Sequence, residues 1–242
     1  RRFLLLWCGM TVSLFGDGIF LVAMAWQVYE LWNAPAALSV IGIAMTVPTI
    51  ACLLPGGVVS DRFDRRTVML AADGLRAVVI GLLALLSATG ALTLWELAVL
   101  CAVYGAATAF FNPAFDAVVP DILPAGQLAA ANSLDQFVRP LALRLAGPAA
   151  AGWLIAGIGL APAFAIDAAT FCVSAAALVA IGRTPRPREG SGQSAVEDVR
   201  QGFDFIRRRV WLWGTLLSAA VAYLVFTQNF CPNLETGAVV IR

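Results

Sequence analysis

Apolar runs of about twenty residues recur along the whole chain, and they limit what this sequence can fold into. Runs of about 18 or more apolar residues can cross a bilayer as helices. The chain is 60% hydrophobic and 13% charged, whereas a soluble domain carries about a quarter charged residues. The sequence therefore predicts an all-α integral membrane protein. Seven spans are expected, at about 3–26, 36–59, 67–88, 93–113, 137–157, 162–182 and 210–228.

Arginine supplies all sixteen basic side chains, and its distribution predicts the orientation. Arginines stand before the first span, between the second and third, and between the sixth and seventh. The alternate connections, near 27–35, 89–92 and 158–161, contain none. Because positively charged loops stay in the cytoplasm, we expect the N-terminus to be cytoplasmic, together with the connection after the second span.

The connection before the seventh span differs in composition from the others. Prolines and glycines between 185 and 192 make a polar linker, and Ser194 with Glu197 forms a capping box. Apolar residues follow at helical spacing, which predicts a cytoplasmic amphipathic helix, although a solvated connector is the alternative. We expect three parts: a six-helix domain at 1–182, a linker at 183–209, and a seventh span with a tail at 210–242.

A charged hinge, residues 61–66, joins the second and third spans. Gly57 just before it is expected to let two helix backbones approach. Charges that are bonded in one state and separated in another would form a conformational latch. The alternative is that they only set topology, since exposed ion pairs contribute about 0–1 kcal/mol each. The hinge charges are Asp61, Arg62, Asp64, Arg65 and Arg66.

The stretch from Gly57 to Arg66 resembles the G-x-x-x-D-R-x-x-R/K-R signature of the major facilitator superfamily. The wider chain is similar to the drug and siderophore efflux branch, which includes macrolide-efflux and enterobactin-exporter-like proteins. Further fragments carry the resemblance: "SLFGDGIF", "AADGLRA", "FFNPAFDAVVPDILPAGQLAAAN", "AGPAAAG" and "AIDAATFCVSAAAL".

This resemblance implies the six-helix N-terminal half of a transporter, built as a 3+3 inverted repeat, plus one helix of a second half. The missing C-terminal half would be the main partner of the chain. It implies a bacterial inner-membrane exporter of small amphipathic molecules, driven by proton exchange and alternating access. In the family the hinge signature locks one state, and Asp116 resembles the acidic partner of the hinge arginines.

Asp17 lies near the middle of the first span, where an ionisable group costs at least about 2.5–3.5 kcal/mol and is usually functional. Ser13, Phe20, Met24 and Gln27 share its helix face, which suits a cavity wall. We expect Asp17 to couple protons or contact a cationic substrate. The alternative is a carboxylate held by a helix partner or capping a backbone break at the adjacent glycines.

Other polar residues at membrane depth are expected to line the cavity or to pair. The resemblance implies that spans one and four line the cavity, with Tyr104, Phe111 and Asn112 as contacts. Asp73 and Arg76 share one helix face and predict a structural ion pair. Arg144 predicts either an acidic partner across helices or contact with an anionic substrate. Asp167 is expected to be a helix-packing partner and Arg139 to snorkel.

Gly147, Pro148 and Gly152 partly match the antiporter signature of the fifth span, and they predict close helix packing with a kink. The arginine motif of many drug–proton antiporters is absent from span four, where Cys101 occupies its place.

Several function classes find no support in the residues. No phosphate-binding G-x-x-x-x-G-K-[ST] loop is present, and no metal or cofactor is expected because the cysteines lack metal-type spacing. Without histidine or a nucleophile constellation an enzyme is not expected, and neutral net charge gives no reason to expect a nucleic acid. The alternatives are a membrane scaffold or receptor and an inactive truncated fragment, since the tail at 227–242 does not continue into an eighth helix.

Overall fold

A computed structural model of the chain describes residues 2–32 and 35–182, with isolated positions at 209, 211, 214, 215 and 218. The chain divides into two compact units, Arg1–Arg188 and Glu189–Arg242. In the described part six helices are long and apolar enough to cross a membrane. These spans are Arg2–Leu31, Pro35–Arg62, Arg65–Thr89, Leu94–Ile122, Ala125–Ile158 and Leu160–Ile181.

Short polar signals set the ends of the spans. Asp64 caps the third span, because its side chain accepts from the backbone N–H of Thr67 at 3.2 Å. The fourth span begins with a capping box in which Thr93 and Glu96 bond reciprocally. Gly90 ends the third span with φ of 67°, a left-handed conformation that glycine adopts without steric cost. Connections of two residues (63–64) and four residues (90–93) therefore suffice to reverse the chain.

The six spans pack in a pattern that repeats. The first span contacts the fifth and sixth, the fourth contacts the second and third, and the third contacts the sixth. Exchanging spans one, two and three for four, five and six reproduces the same contacts. This is the relation expected of two three-helix repeats, and the predicted fold class is confirmed.

The surface of the bundle is apolar and its core contains charges. Ile50, Val78 and Trp153 are more than 60% exposed, whereas Asp73 and Asp167 are fully buried. A soluble protein has the opposite distribution. The exposed apolar side chains therefore suit contact with lipid.

The fourth and fifth spans differ from their predicted limits. The fourth continues to Ile122 through Pro113 and Pro120, because membrane helices tolerate proline where neighbouring groups satisfy the freed carbonyls. The fifth begins at Ala125 rather than near 137, since its first three turns are helical but only weakly apolar. Apart from the isolated positions, the predicted linker helix, seventh span and tail lie outside the described residues.

Candidate functional site

A cavity of about 190 Å³ lies between the first, fourth and fifth spans, with contributions from the second and third. We call it the Asp17 cavity. Apolar side chains make up the rest of its wall, so the polar groups face a confined space. Its polar lining residues are Ser13, Asp17, Arg76, Tyr104, Thr108, Asn112 and Arg139.

Asp17 is held at the cavity wall by a tyrosine. The hydroxyl of Tyr104 donates to Oδ1 of Asp17 at 2.5 Å across the first and fourth spans. The Tyr104 ring is itself fixed, with centroids 4.8 Å from Phe20 and 6.3 Å from Phe171. Asp17 keeps partial exposure, so it is positioned by packing yet open to the cavity.

Arg76 reaches the same cavity from a buried ion pair. It bonds to Asp73 on its own helix face, as predicted, and Ser174 Oγ donates to the second oxygen of Asp73 at 2.7 Å. The guanidinium carbon lies 4.3 Å and 4.5 Å from the ring centroids of Phe111 and Phe171, which is cation–π distance. This cluster joins the third, fourth and sixth spans and fixes the position of the cation.

Arg139 also enters the cavity. Its guanidinium bonds to Asp135 at 3.1 Å on its own helix and contacts the sulfur of Met10 at 3.7 Å. Snorkelling of Arg139 toward the end of its span stays a prediction, since the side chain reaches back along the helix to Asp135 while also contacting the first span. The spacing of four residues between Asp135 and Arg139 was the signal that could have indicated the pair.

Asn112, Gln27 and Arg144 were predicted, with Asp17, to take part in coupling or substrate contact, and of these three only Asn112 lines the cavity. Gln27 is ten residues further along the first span, or about 15 Å. Its Oε1 accepts from Ser87 Oγ at 2.6 Å beside a separate cleft of about 820 Å³. Arg144 is exposed and does not line the cavity. Thr108, which the sequence reasoning missed, lies one helical turn after Tyr104 on the same face.

Two hinge arginines clamp the start of the third span to neighbouring spans. Arg65 bonds to Asp121 at 2.5 Å and to the carbonyl of Ala117 at 2.8 Å, at the end of the fourth span. Arg66 donates to the carbonyls of Leu178 and Val179, at 2.6 Å and 3.1 Å. These carbonyls belong to the last turns of the sixth span, so this end of the bundle is fastened by side chains from one hinge.

Asp116 and Gly57 do not make the contacts that were predicted for them. Arg65 bonds to Asp121 rather than to Asp116. Asp116 is exposed, and the charged groups that act on it are Arg139 and Asp135. Asp61 and Arg62 are exposed at the end of the second span.

Gly57 was expected at a close helix approach, but a Cβ there would meet open space. The close approach belongs to Gly56, where a Cβ would meet the carbonyl of Ala109 in the fourth span. The helix face had been misjudged by one residue.

Gly147 and Gly18 bring the fifth and first spans into close contact beside Asp17. A Cβ on Gly147 would lie 2.6 Å from the carbonyl oxygen of Phe15 and 2.7 Å from the Gly18 Cα. A π-helical turn, Leu141–Ala146, stands immediately before this contact and Pro148. Such turns mark irregular points of helices, often at functional sites. Gly152 faces open space at the 820 Å³ cleft.

The apolar exterior, the repeated three-helix packing and an internal cavity with fixed charges define a transporter-type membrane half-bundle. A family model described as "Transmembrane secretion effector", within the major facilitator group, matches residues 1–231. The chain belongs to this family of multi-pass membrane transporters.

Three relatives show which transporters the chain is similar to. It is 27% identical over 222 residues to "Uncharacterized MFS-type transporter YfiS" of Bacillus subtilis, covering 89% of this chain and 51% of the relative. It is 25% identical over 228 residues to "Macrolide efflux protein A" of Streptococcus pyogenes, with coverages of 93% and 56%. Against "Multidrug efflux pump Tap" of Mycolicibacterium fortuitum the identity is 28% over 238 residues, with coverages of 95% and 56%. The chain spans about half the length of these relatives.

Proposed function

We propose that this chain is the N-terminal half of a secondary exporter that moves small amphipathic molecules across a bacterial inner membrane in exchange for protons. The observation that carries the proposal is the placement of Asp17, a partly exposed carboxyl at the middle of a span, in an internal cavity. Its bond to Tyr104 holds it in place while one side remains open. A carboxyl group in such a low-dielectric site readily exists in both protonated and ionised forms.

The cavity chemistry supports an amphipathic substrate. Aromatic and aliphatic walls from Phe111, Leu21 and Met45 surround a few fixed polar groups, which is the composition of small-molecule sites in general. At about 190 Å³ the cavity is smaller than a drug-sized site. In the proposed exporter, the second half of the protein supplies the facing wall. Relatives named for macrolide and multidrug efflux support the same substrate class.

Alternating access would act through the charged hinge. Arg65 and Arg66 fasten the third span to the ends of the fourth and sixth. Six helices held in this way would move as one body against the second half, which is the motion expected of this class of transporter. With the arginine-rich connections in the cytoplasm, the N-terminus is cytoplasmic and the hinge lies at the inner face.

The test is efflux by cells that express the full gene product containing this chain. Asp17→Asn keeps the size and the hydrogen bond to Tyr104 but removes the ionisable group. We expect proton-driven efflux of ethidium or a macrolide to be lost at normal membrane levels. Glu30→Gln, an exposed acid on the same span outside the Asp17 cavity, is the matched control and should keep efflux. Equal efflux by Asp17→Asn and the parent would refute the role of Asp17 and favour a scaffold.

A further inference from the structure

A second carboxyl lies behind Asp17 in the core. Asp167, on the sixth span, is fully buried. The hydroxyl of Thr170 on the same helix donates to the backbone carbonyl of Asp167 at 2.7 Å, with Oδ1 as a weaker second acceptor at 3.2 Å. Its Oδ2 is buried with no hydrogen-bond partner among the residues that the structure describes. Half of this carboxyl group is therefore without the bonds that an ionised form requires.

Asp167 packs directly against the backbone that carries Asp17. A Cβ on Gly16 would collide with the side chains of Asp167 and Thr170. The first and sixth spans can approach here only because residue 16 is glycine. Asp17 follows Gly16 directly, about 100° further round the helix, so the carboxyl groups of Asp17 and Asp167 lie at neighbouring faces of the same turn of the first span.

The charged and titratable neighbours of Asp167 are already engaged elsewhere. Asp17 of the first span and Arg76 of the third are close enough to act on it electrostatically. The Arg76 cation bonds to Asp73 and lies over two aromatic rings. Tyr104 of the fourth span gives its hydroxyl to Asp17. In the described part of the chain the Nη2 of Arg76 and the hydroxyl of Tyr104 are thus bonded to other groups, and the Nε of Arg76, which has no hydrogen-bond partner, makes no bond to Asp167.

The energetic contrast with Asp73 is large. Asp73 has a cation on one oxygen and the Ser174 hydroxyl on the other, which is the full set of partners that a buried carboxylate needs. A carboxylate at Asp167 would be desolvated with one oxygen unbonded, at a cost of several kcal/mol, whereas the neutral acid avoids most of that cost. An ionised Asp17 close by would add like-charge repulsion.

The geometry points to Asp167 as a second proton-binding site, a neutral carboxylic acid that is buried behind Asp17. Any negative charge on the pair of Asp17 and Asp167 then lies on Asp17, at the cavity. Because like charges repel in a low-dielectric core, we expect the two carboxyls to carry at most one negative charge between them. The use of these two carboxyl groups in proton exchange rests on the proposed function. Protonation of Asp167 is independent of that function, because it follows from the burial of the group and from the missing hydrogen-bond partner of Oδ2.

Infrared spectroscopy of the purified full gene product in lipid vesicles tests this directly. At neutral pH we expect a carbonyl stretch of a protonated carboxyl group, shifted when the protein is grown with 13C-labelled aspartate. Asp167→Asn should lose this band. Asp17→Asn should keep it, and Asp135→Asn, an acid paired with Arg139 near the end of the fifth span, is the control that should also keep it.

A second variant keeps the test decisive if Asp167→Asn does not fold. Thr170→Val removes the hydroxyl that donates to Oδ1, so the band should persist but move to a higher frequency. Absence of any protonated aspartate band in the parent, or a band lost only in Asp17→Asn, would overturn the proposal. If the band is present and efflux is unaffected by Asp17→Asn, the proton site stands and only the proposed coupling fails.

Discussion

Removal of Arg76 should destabilise the protein more than any other single charge change in the core. Arg76→Met deletes the cation that bonds to Asp73 and leaves that carboxylate buried with only the Ser174 hydroxyl. Breaking a buried ion pair from one side costs about 3–5 kcal/mol. The variant also loses the cation–π contacts with the Phe111 and Phe171 rings. A desolvated cation–π contact contributes about 2 kcal/mol, so their loss adds to the cost of breaking the ion pair.

The assay is a double-mutant cycle on purified protein in detergent, with unfolding followed against denaturant. Arg76→Met and Asp73→Asn each leave one buried group without its partner, so each should be costly. The double variant removes both charges and keeps an acceptor for Ser174, so its cost should fall well below the sum. A cost of Arg76→Met under about 1 kcal/mol would refute the reasoning, because that is the value of an exposed pair.

Three further changes test the cavity, the helix contact and the orientation. Tyr104→Phe removes the hydroxyl that positions the cavity carboxyl, so dye efflux should fall while membrane levels stay normal. Gly147→Val forces a side chain into the first span and should cost about 1–3 kcal/mol, measured by thermal melting, whereas Gly152→Val meets open space and should cost less than 1. A fluorescent protein fused after Phe63 should be fluorescent, because that connection is expected in the cytoplasm. Alkaline phosphatase fused after Ala91 should be active, because that connection is expected on the opposite side of the membrane.

Each of these predictions has an outcome that contradicts it. Unchanged efflux in Tyr104→Phe would mean that the hydroxyl does not position the carboxyl for transport. Equal melting of the two glycine variants would remove the argument for close packing between the first and fifth spans. Phosphatase activity after Phe63, with none after Ala91, would reverse the proposed orientation.

The spans could be predicted from sequence because each is a local property of the chain. Twenty apolar residues form a membrane helix whatever they pack against, and an aspartate three residues before an arginine lies on the same helix face. Both the six described spans and the pair of Asp73 with Arg76 follow from these rules. The start of the fifth span was missed because a helix extends beyond the apolar part of its sequence.

Contacts between spans could not be predicted, because they depend on helix rotation and depth. Asp121, not Asp116, meets Arg65, and five residues of difference correspond to more than one helical turn. The rotation of the second span likewise decides that Gly56 rather than Gly57 meets the fourth span. Carbonyl groups at the end of the sixth span bond to Arg66, and no sequence pattern marks a backbone acceptor.

Two acids of one core illustrate why partners, rather than depth, decide what a buried carboxyl can do. Asp73 has a cation and a hydroxyl, so its charge is satisfied and has no reason to change. Asp17 has one hydroxyl donor and an opening to the cavity, so either form can be accommodated. Arg76 is held by Asp73 and two rings, so its charge is already engaged. We therefore expect any change of negative charge during transport to fall on Asp17, where a substrate or proton could reach it.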